Sequence, residues 1–433
     1  MKNSILLVLL TLSIPFKAAS ESILDVYNLA KDSDPELLQA KAFADEAQES
    51  INSARSVLLP QIDLSAGYDY YNSDRPLLSS EQWRAGIGLS QEIYNPASWI
   101  VLEQSEKAAV KGNVLYAQTQ QFVILRTAEA YFNALRAEDT LSLAKSEQAL
   151  IEKYTATIQE AYRVGTSDLT DLQDAKAQLD RVNASLVSAR NLVRNSYEEL
   201  RKITNVKFER LDKLNIDAFS PSLPPDDVEA LVELALQENL VVLENKIQQE
   251  IAKQDIDLAK SGHLPHLSLN AGYQYSNEKR DDSFYSKGGS NDTYGGLNLV
   301  VPLYSGGGTS SEVKQAQHRY VAASQELERN FRDISSNVRG KYNDIIASLE
   351  NIKAQEQSMK SAELALSTQQ LGLEVGTRTI VDVLEATRFL FDAKLQLSDA
   401  RYNYILERLY LSQLLGNLNE GDIIAINQGL NEK

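Results

Sequence analysis

The sequence predicts a mixed α and β fold: a transmembrane β-barrel of twelve strands, four from each of three chains, continued by a long α-helical barrel with coiled-coil tips. Three observations predict it. Four stretches of about ten residues alternate apolar and polar side chains, the period of a strand. Two stretches of roughly 65 residues contain no strong helix breaker. The chain is also written twice.

The N-terminus comes first. Lys2, the apolar run ILLVLLTLSIPF, and the small residues Ala18, Ala19 and Ser20 ahead of Glu21 predict a cleavable secretory signal over residues 1–20. Beyond it no stretch approaches the ~20 apolar residues of a spanning helix, which leaves a soluble exported protein or a membrane protein built of strands. The chain has no cysteine, which rules out disulfides, thiolate metal sites, cysteine nucleophiles and a lipoprotein anchor. Formal net charge is −17, and the leader holds two lysines and no acid, so the mature chain is more acidic still. A nucleic-acid partner is not expected of such a surface.

LLPQIDLSAGYDYY (58–71) and HLPHLSLNAGYQYS (263–276) match at a shift of 205. GIGLSQEIYN (86–95) and GLNLVVPLYS (296–305) match at 210, and VGTSDLTDLQDA (164–175) and VGTRTIVDVLEA (375–386) at 211. The order is the same in both, so the expected organisation is a first repeat over 21–218, a Pro-rich linker FSPSLPPDD over 219–227, a second repeat over 228–416 and a tail over 417–433. A plain tandem of two domains also satisfies the pattern.

Within each copy, residues 22–58 and 226–262 read as helix, ended by Pro60 and Pro265. Alternation comes next: Ile62, Leu64, Ala66, Tyr68 and Tyr70 oppose Asp63, Ser65, Gly67 and Asp69, and Leu267, Leu269, Ala271, Tyr273 and Tyr275 oppose Ser268, Asn270, Gly272 and Gln274. Trp83, Ala85, Ile87 and Leu89 alternate again, as do Leu297, Leu299, Val301 and Leu303, with polar loops over 72–82 and 276–293. Any one of these strands would suit a soluble sandwich. Four of them, tipped by Tyr68, Tyr70, Tyr273, Tyr275 and Trp83, read as membrane strands with interface aromatics. Pro96 to Tyr162 and residues 309–373 predict helices of ~100 Å. After each VGT turn comes a coiled-coil seam: Leu172, Ala175, Leu179, Val182, Leu186, Ala189 and Val193, then Val383, Ala386, Leu390, Ala393, Leu397, Ala400 and Tyr404. Each seam helix is ~60 Å, half of its long neighbour, and the helix at the start of each copy has the length to cover the other half.

An open sheet edge in lipid leaves backbone groups unpaired, so a membrane sheet must close. Eight strands fill their own interior, whereas twelve leave a passage, and the Gly-, Ser- and Asn-rich inner faces suit water. The expected assembly is a homotrimer embedded in outer-membrane lipid.

From Glu21 to about Ala425 the sequence also resembles the TolC family of outer-membrane efflux channels, most closely in SARSVLLPQ, KSGHLPHLSL, VVPLYSGG, VGTRTIVDVLEAT and ARYNYI. The resemblance implies a multi-pass outer-membrane barrel with a periplasmic extension. It also implies a passive exit duct for tripartite efflux or type I protein secretion, opened by a periplasmic adaptor and an inner-membrane drug or ABC transporter. Where that family depends on a tyrosine before the second VGT turn, this chain has Leu373.

Three groups of residues carry the expected function. Val164, Gly165 and Thr166, with Val375, Gly376 and Thr377, form tight turns in which glycine ends one helix and threonine caps the next; the resemblance implies that they dock the adaptor. Asp382 and Glu385 lie one turn apart, so three chains would place six carboxylates around one constriction, which likeness to the family sets at the periplasmic entrance. Arg378, where the first copy has Ser167, can reach a neighbouring hairpin to pair with Asp171 and donate to Thr170, bolting the tip shut.

No enzyme is expected, nor any cofactor or metal. His263 and His266 straddle Pro265, where no helical face presents both rings, and Gly306, Gly307 and Gly308 are followed by Thr309 rather than a phosphate-loop lysine. A soluble periplasmic coiled-coil protein with a structural or chaperone role accounts for the heptads but not for the strands.

Overall fold

The computed structural model describes residues 20–72, 80–215, 219–225, 227–280 and 288–431. Leader residues 1–19 and the loop centres at 73–79 and 281–287 lie outside the described residues. Nine helices and six strands are described: α1 (Ile23–Ser33), α2 (Pro35–Ser56), β1 (Gln61–Tyr71), β2 (Ser80–Tyr94), α3 (Pro96–Arg163), α4 (Leu169–Thr204), β3 (Lys213–Leu214), α5 (Val228–Glu238), α6 (Leu240–Ser261), β4 (His266–Arg280), β5 (Gly288–Val300), α7 (Gly308–Glu374), α8 (Ile380–Leu414), α9 (Glu420–Asn427) and β6 (Leu430–Asn431).

The two long helices hold 68 and 67 residues without a break. The expected single helices over 22–58 and 226–262 are each two. Asp34 is extended at φ −67°, ψ 119° because the ring of Pro35 excludes the helical region, and its Oδ1 accepts from the N–H groups of Glu36 and Leu37. The second copy breaks at the equivalent residue without a proline. Asn239, extended at φ −63°, ψ 127°, caps α6 through the N–H groups of Val241 and Val242. The duplication is thus written into the breaks as well as into the elements.

The chain forms two compact units. One comprises residues 38–119 and 233–336 and contains the four-stranded sheet, in order β1-β2-β4-β5, with every neighbouring pair antiparallel. Its register lines up the apolar positions: Ile62 opposes Leu89, which opposes Ala271; Leu64 opposes Ile87, which opposes Tyr273. Tyr68 faces Trp83 with ring centroids 4.7 Å apart, and Tyr273 Oη donates to Asn291 Oδ1 at 2.8 Å. The opposite face carries the Asp69–Arg84 ion pair. This apolar face is bare: Leu64 is 84% exposed and Leu297 65%. A soluble sandwich would bury it.

The strands outrun expectation, at 15 residues for β2 and β4 and 13 for β5, because the loop flanks continue the pairing beyond the apolar stretch. Val301 and Leu303 fall outside β5, ended by Pro302, which has no N–H to offer a ladder. In the same unit α6 lies along α3. Gln104 Nε2 donates to Asp255, Lys111 pairs with Glu244 at 2.8 Å, and Gln118 Nε2 donates to the Leu240 carbonyl.

The other unit comprises the described parts of residues 1–37, 120–232 and 337–433. The α4 and α8 seams are buried as expected, apart from half-buried Leu179 and Val193. Tyr131 and Phe132 of α3 are fully buried, and the Phe132 ring lies 5.6 Å from that of Tyr402. The linker and tail are fastened here. Tyr404 Oη accepts from the Ser222 N–H and donates to the Ser222 carbonyl. Asn419 opens α9 with a capping box, and β6 pairs with β3.

Candidate functional site

The site lies where α3 turns into α4 and α7 into α8. Gly165 and Gly376 adopt φ of +80° and +75°, the left-handed conformation that ends a helix. The following threonines close back on the helix just ended. Thr166 N–H and Oγ1 donate to the Ala161 carbonyl at 2.9 and 3.1 Å, and Thr377 N–H and Oγ1 donate to the Gly372 carbonyl at 2.8 and 3.2 Å. This corrects their expected role as caps of the next helix. Asp168 caps α4 by accepting from the Asp171 N–H at 2.8 Å, and Thr379 caps α8. The signal was legible, since T-x-x-D at 379–382 is a capping box. Val164 and Val375 are exposed at the two turns.

Around α8, Asp382 Oδ2 accepts from the Thr379 N–H at 2.8 Å and from Thr379 Oγ1 at 2.9 Å. These bonds, the backbone one above all, together with the positive charge of Arg378, hold the Asp382 carboxyl below its ordinary value. Within the chain this runs opposite to the mutual repulsion that a ring of carboxylates would add. Glu385 is exposed one turn on, while Val383 and Ala386 face the core.

In the first hairpin Asp171 accepts from Ser167 Oγ at 3.0 Å. Arg378, the counterpart of Ser167, is exposed, with its stem across Gly372. No ion pair joins Arg378 to Asp171 within one chain among the described residues, and Thr170 is exposed beside Asp171. The structure thus gathers Arg378, Asp382 and Glu385 at one tip and Thr170 and Asp171 at the other.

The hairpins are joined by seam residues together with Ile151, Ile158, Tyr154, Leu366, Ile380 and Leu384, which no sequence pattern singled out. Ile380 and Leu384 of α8 enter the cluster of Ile151, Ile158, Leu172, Ala175 and Val182, while Leu366 packs with Val383, Ala386 and Leu390. Tyr154 and Leu373 touch both clusters. Gln370 Nε2 donates to Tyr154 Oη at 2.9 Å. A hydroxyl therefore does stand between the hairpins, supplied by α3 rather than by position 373. Nothing local in the sequence marks it, because a tyrosine on a long helix is ordinary core until its partner 216 residues on is known.

The aromatics expected at a membrane interface lie in the other unit, where Tyr68, Tyr70, Trp83, Tyr273 and Tyr275 are all exposed on the strands. His263 lies in the turn before β4, and His266 is the first residue of that strand.

A family model described as outer membrane efflux protein matches residues 26–206 and 231–417. The outer membrane protein TolC of Vibrio cholerae is 46% identical over 412 residues, covering 95% of this chain and 94% of that one. The alkaline protease secretion protein AprF of Pseudomonas aeruginosa is 25% identical over 421 residues, covering 93% and 85%. The crystal structure of the open state of the Neisseria gonorrhoeae MtrE outer membrane channel superposes with a TM-score of 0.77 at 18% identity, covering 93% and 91%.

Proposed function

This chain belongs to the outer membrane efflux protein family, and from that premise we propose how its residues close and open a duct. It is an outer-membrane channel with a periplasmic extension, an exit duct for efflux and type I secretion. It works as a trimer with adaptor and transporter partners.

The observation that carries the reading is the sheet. β1 and β5 have no partner on their outer edges among the described residues, and the sheet between them shows an apolar face to the outside. Three chains pair β5 of one with β1 of the next, closing twelve strands around a wet lumen. The two VGT turns of each chain are the adaptor's docking points, supported by their left-handed glycines and exposed valines. Asp382 and Glu385 form the aperture ring, supported by their placement on the exposed side of α8. Arg378 bolts the closed aperture by pairing with Asp171 of a neighbouring hairpin and donating to Thr170, supported by its freedom from ion pairs within the described residues of its own chain. The transporter behind the adaptor is an inner-membrane drug pump or an ABC transporter.

Cell fractionation with a heated gel tests this reading. The protein is expected in the outer membrane as a trimer that falls to monomer only on heating, and its loss should sensitise the cell to exported compounds. Release with the soluble periplasm would overturn it.

A further inference from the structure

We propose that Asp212 is the receptor for the mature N-terminus: cleavage of the Ser20–Glu21 bond by a signal peptidase leaves an α-ammonium on Glu21 that pairs with the Asp212 carboxylate, so removing the leader completes this corner of the fold. Asp212 is 4% exposed, and a buried carboxylate is costly unless paired with a cation. Among the described residues no lysine or arginine forms an ion pair with it; Ser20 Oγ donates to its Oδ1.

The backbone around it is held by hydrogen bonds. Glu21 N–H donates to the Arg210 carbonyl at 3.1 Å and Asp212 N–H to the Glu21 carbonyl at 3.1 Å. Fully buried Tyr131 donates to both the Glu21 and the Asp212 carbonyls, at 3.2 and 2.8 Å. The nitrogen of Glu21 is therefore held one residue from the Ser20 hydroxyl that already reaches Asp212. Negative charge is in surplus here, since burial and then the charges of Asp25 and Asp212 push the Glu21 carboxyl up. Ala18 and Ser20 are the small residues that a signal peptidase takes at the third and first positions before its cut.

In the cleavage, water gives its hydroxyl to the Ser20 carbonyl carbon and a proton to the Glu21 nitrogen. The new amine, with an ordinary pKa of about 8, is protonated at neutral pH and takes the place of the departing serine hydroxyl.

The test is an intact mass of trimers from the outer membrane, with two variants: Asp212→Asn, and one alanine inserted between Ser20 and Glu21 so that the mature chain is a residue longer. The mature wild type should begin at Glu21. Each variant should lower the temperature at which trimers dissociate by about 4 °C or more. Combined, they should lower it no further than the larger single effect. A mature chain beginning elsewhere, an Asp212→Asn trimer as heat-stable as wild type, or additive shifts would overturn the proposal. Should Asp212→Asn yield no trimers, the insertion decides alone, and wild-type heat stability in it overturns the pairing.

Discussion

Ser167 Oγ donates to Asp171 Oδ2 across 3.0 Å, so the first hairpin holds its acid with its own residue. In the second hairpin the equivalent residues are Arg378 and Asp382, and there Thr379 holds the acid while the arginine stays exposed. The duplication keeps the acid and changes what faces it. One hairpin is self-contained; the other leaves its arginine exposed.

Replacing Arg378 with Ser should therefore raise the resting conductance of trimers in a planar bilayer severalfold while leaving assembly intact. Asp171→Ala should do much the same. An exposed pair is worth at most about 1 kcal/mol, but three repeated symmetrically multiply in the opening equilibrium. A double variant no leakier than either single one establishes the pairing; unchanged conductance in Arg378→Ser removes it.

Tyr154→Phe deletes the hydroxyl that accepts from Gln370 and leaves the ring that both hairpins pack against. A lost hydrogen bond of about 1 kcal/mol should raise resting conductance about fivefold per site with trimer yield unchanged. Leu373→Tyr, a bulkier residue in the same junction, should alter gating rather than assembly. A Tyr154→Phe channel as tight as wild type would reduce this contact to packing.

The carboxylates predict the ionic behaviour. Wild-type trimers should prefer cations and be blocked by multivalent cations from the periplasmic side, and Asp382→Ala with Glu385→Ala should lose both properties. The pH dependence is set by the capping box. Because the Asp382 carboxyl is held below its ordinary value, its contribution is fully present above that value and fades only as pH falls through the still lower folded one. The Asp382 share of the block should therefore persist to lower pH than that of a carboxylate without such bonds. Selectivity unchanged in the double variant would put the constriction at other residues.

Replacing Gly165 and Gly376 by valine should abolish efflux while trimers still insert. Beyond the two adjacent residues, no described atom lies within 4 Å of where a Cβ would stand at either glycine, so the cost comes from the left-handed backbone and from the altered tip surface. Normal drug resistance in the double variant would separate the tips from docking.

Most of this architecture was legible in the sequence because it is periodic. The strand alternation and the seams from Leu172 and Val383 are visible at a fixed spacing, the two long helices as runs without a breaker, and at the seams burial follows the spacing. The breaks at Asp34 and Asn239 were passed over for different reasons. Pro35 was a readable signal, whereas Asn239 is a cap that looks like any polar residue until the helix beyond it is placed. Spacing supplied the candidates at the tips, but not which threonine faces which helix. Thr166 and Thr377 bond backward and Thr379 forward, a choice set by hydrogen-bond geometry over five residues. Tyr154 with Gln370, and Asp212 with Ser20, are long-range contacts that no local pattern encodes.

The chain has no cysteine, so one placed on β1 at Leu64 and a second stepped along β5 from Leu297 to Leu299 report edge pairing without background. After oxidation in the outer membrane, closure of β5 on the next chain's β1 should give cross-linked species of two and three chains and nothing larger, at one register of the β5 cysteine. Cross-links confined to single chains, or a ladder continuing past three, would contradict the closed trimer on which the duct depends.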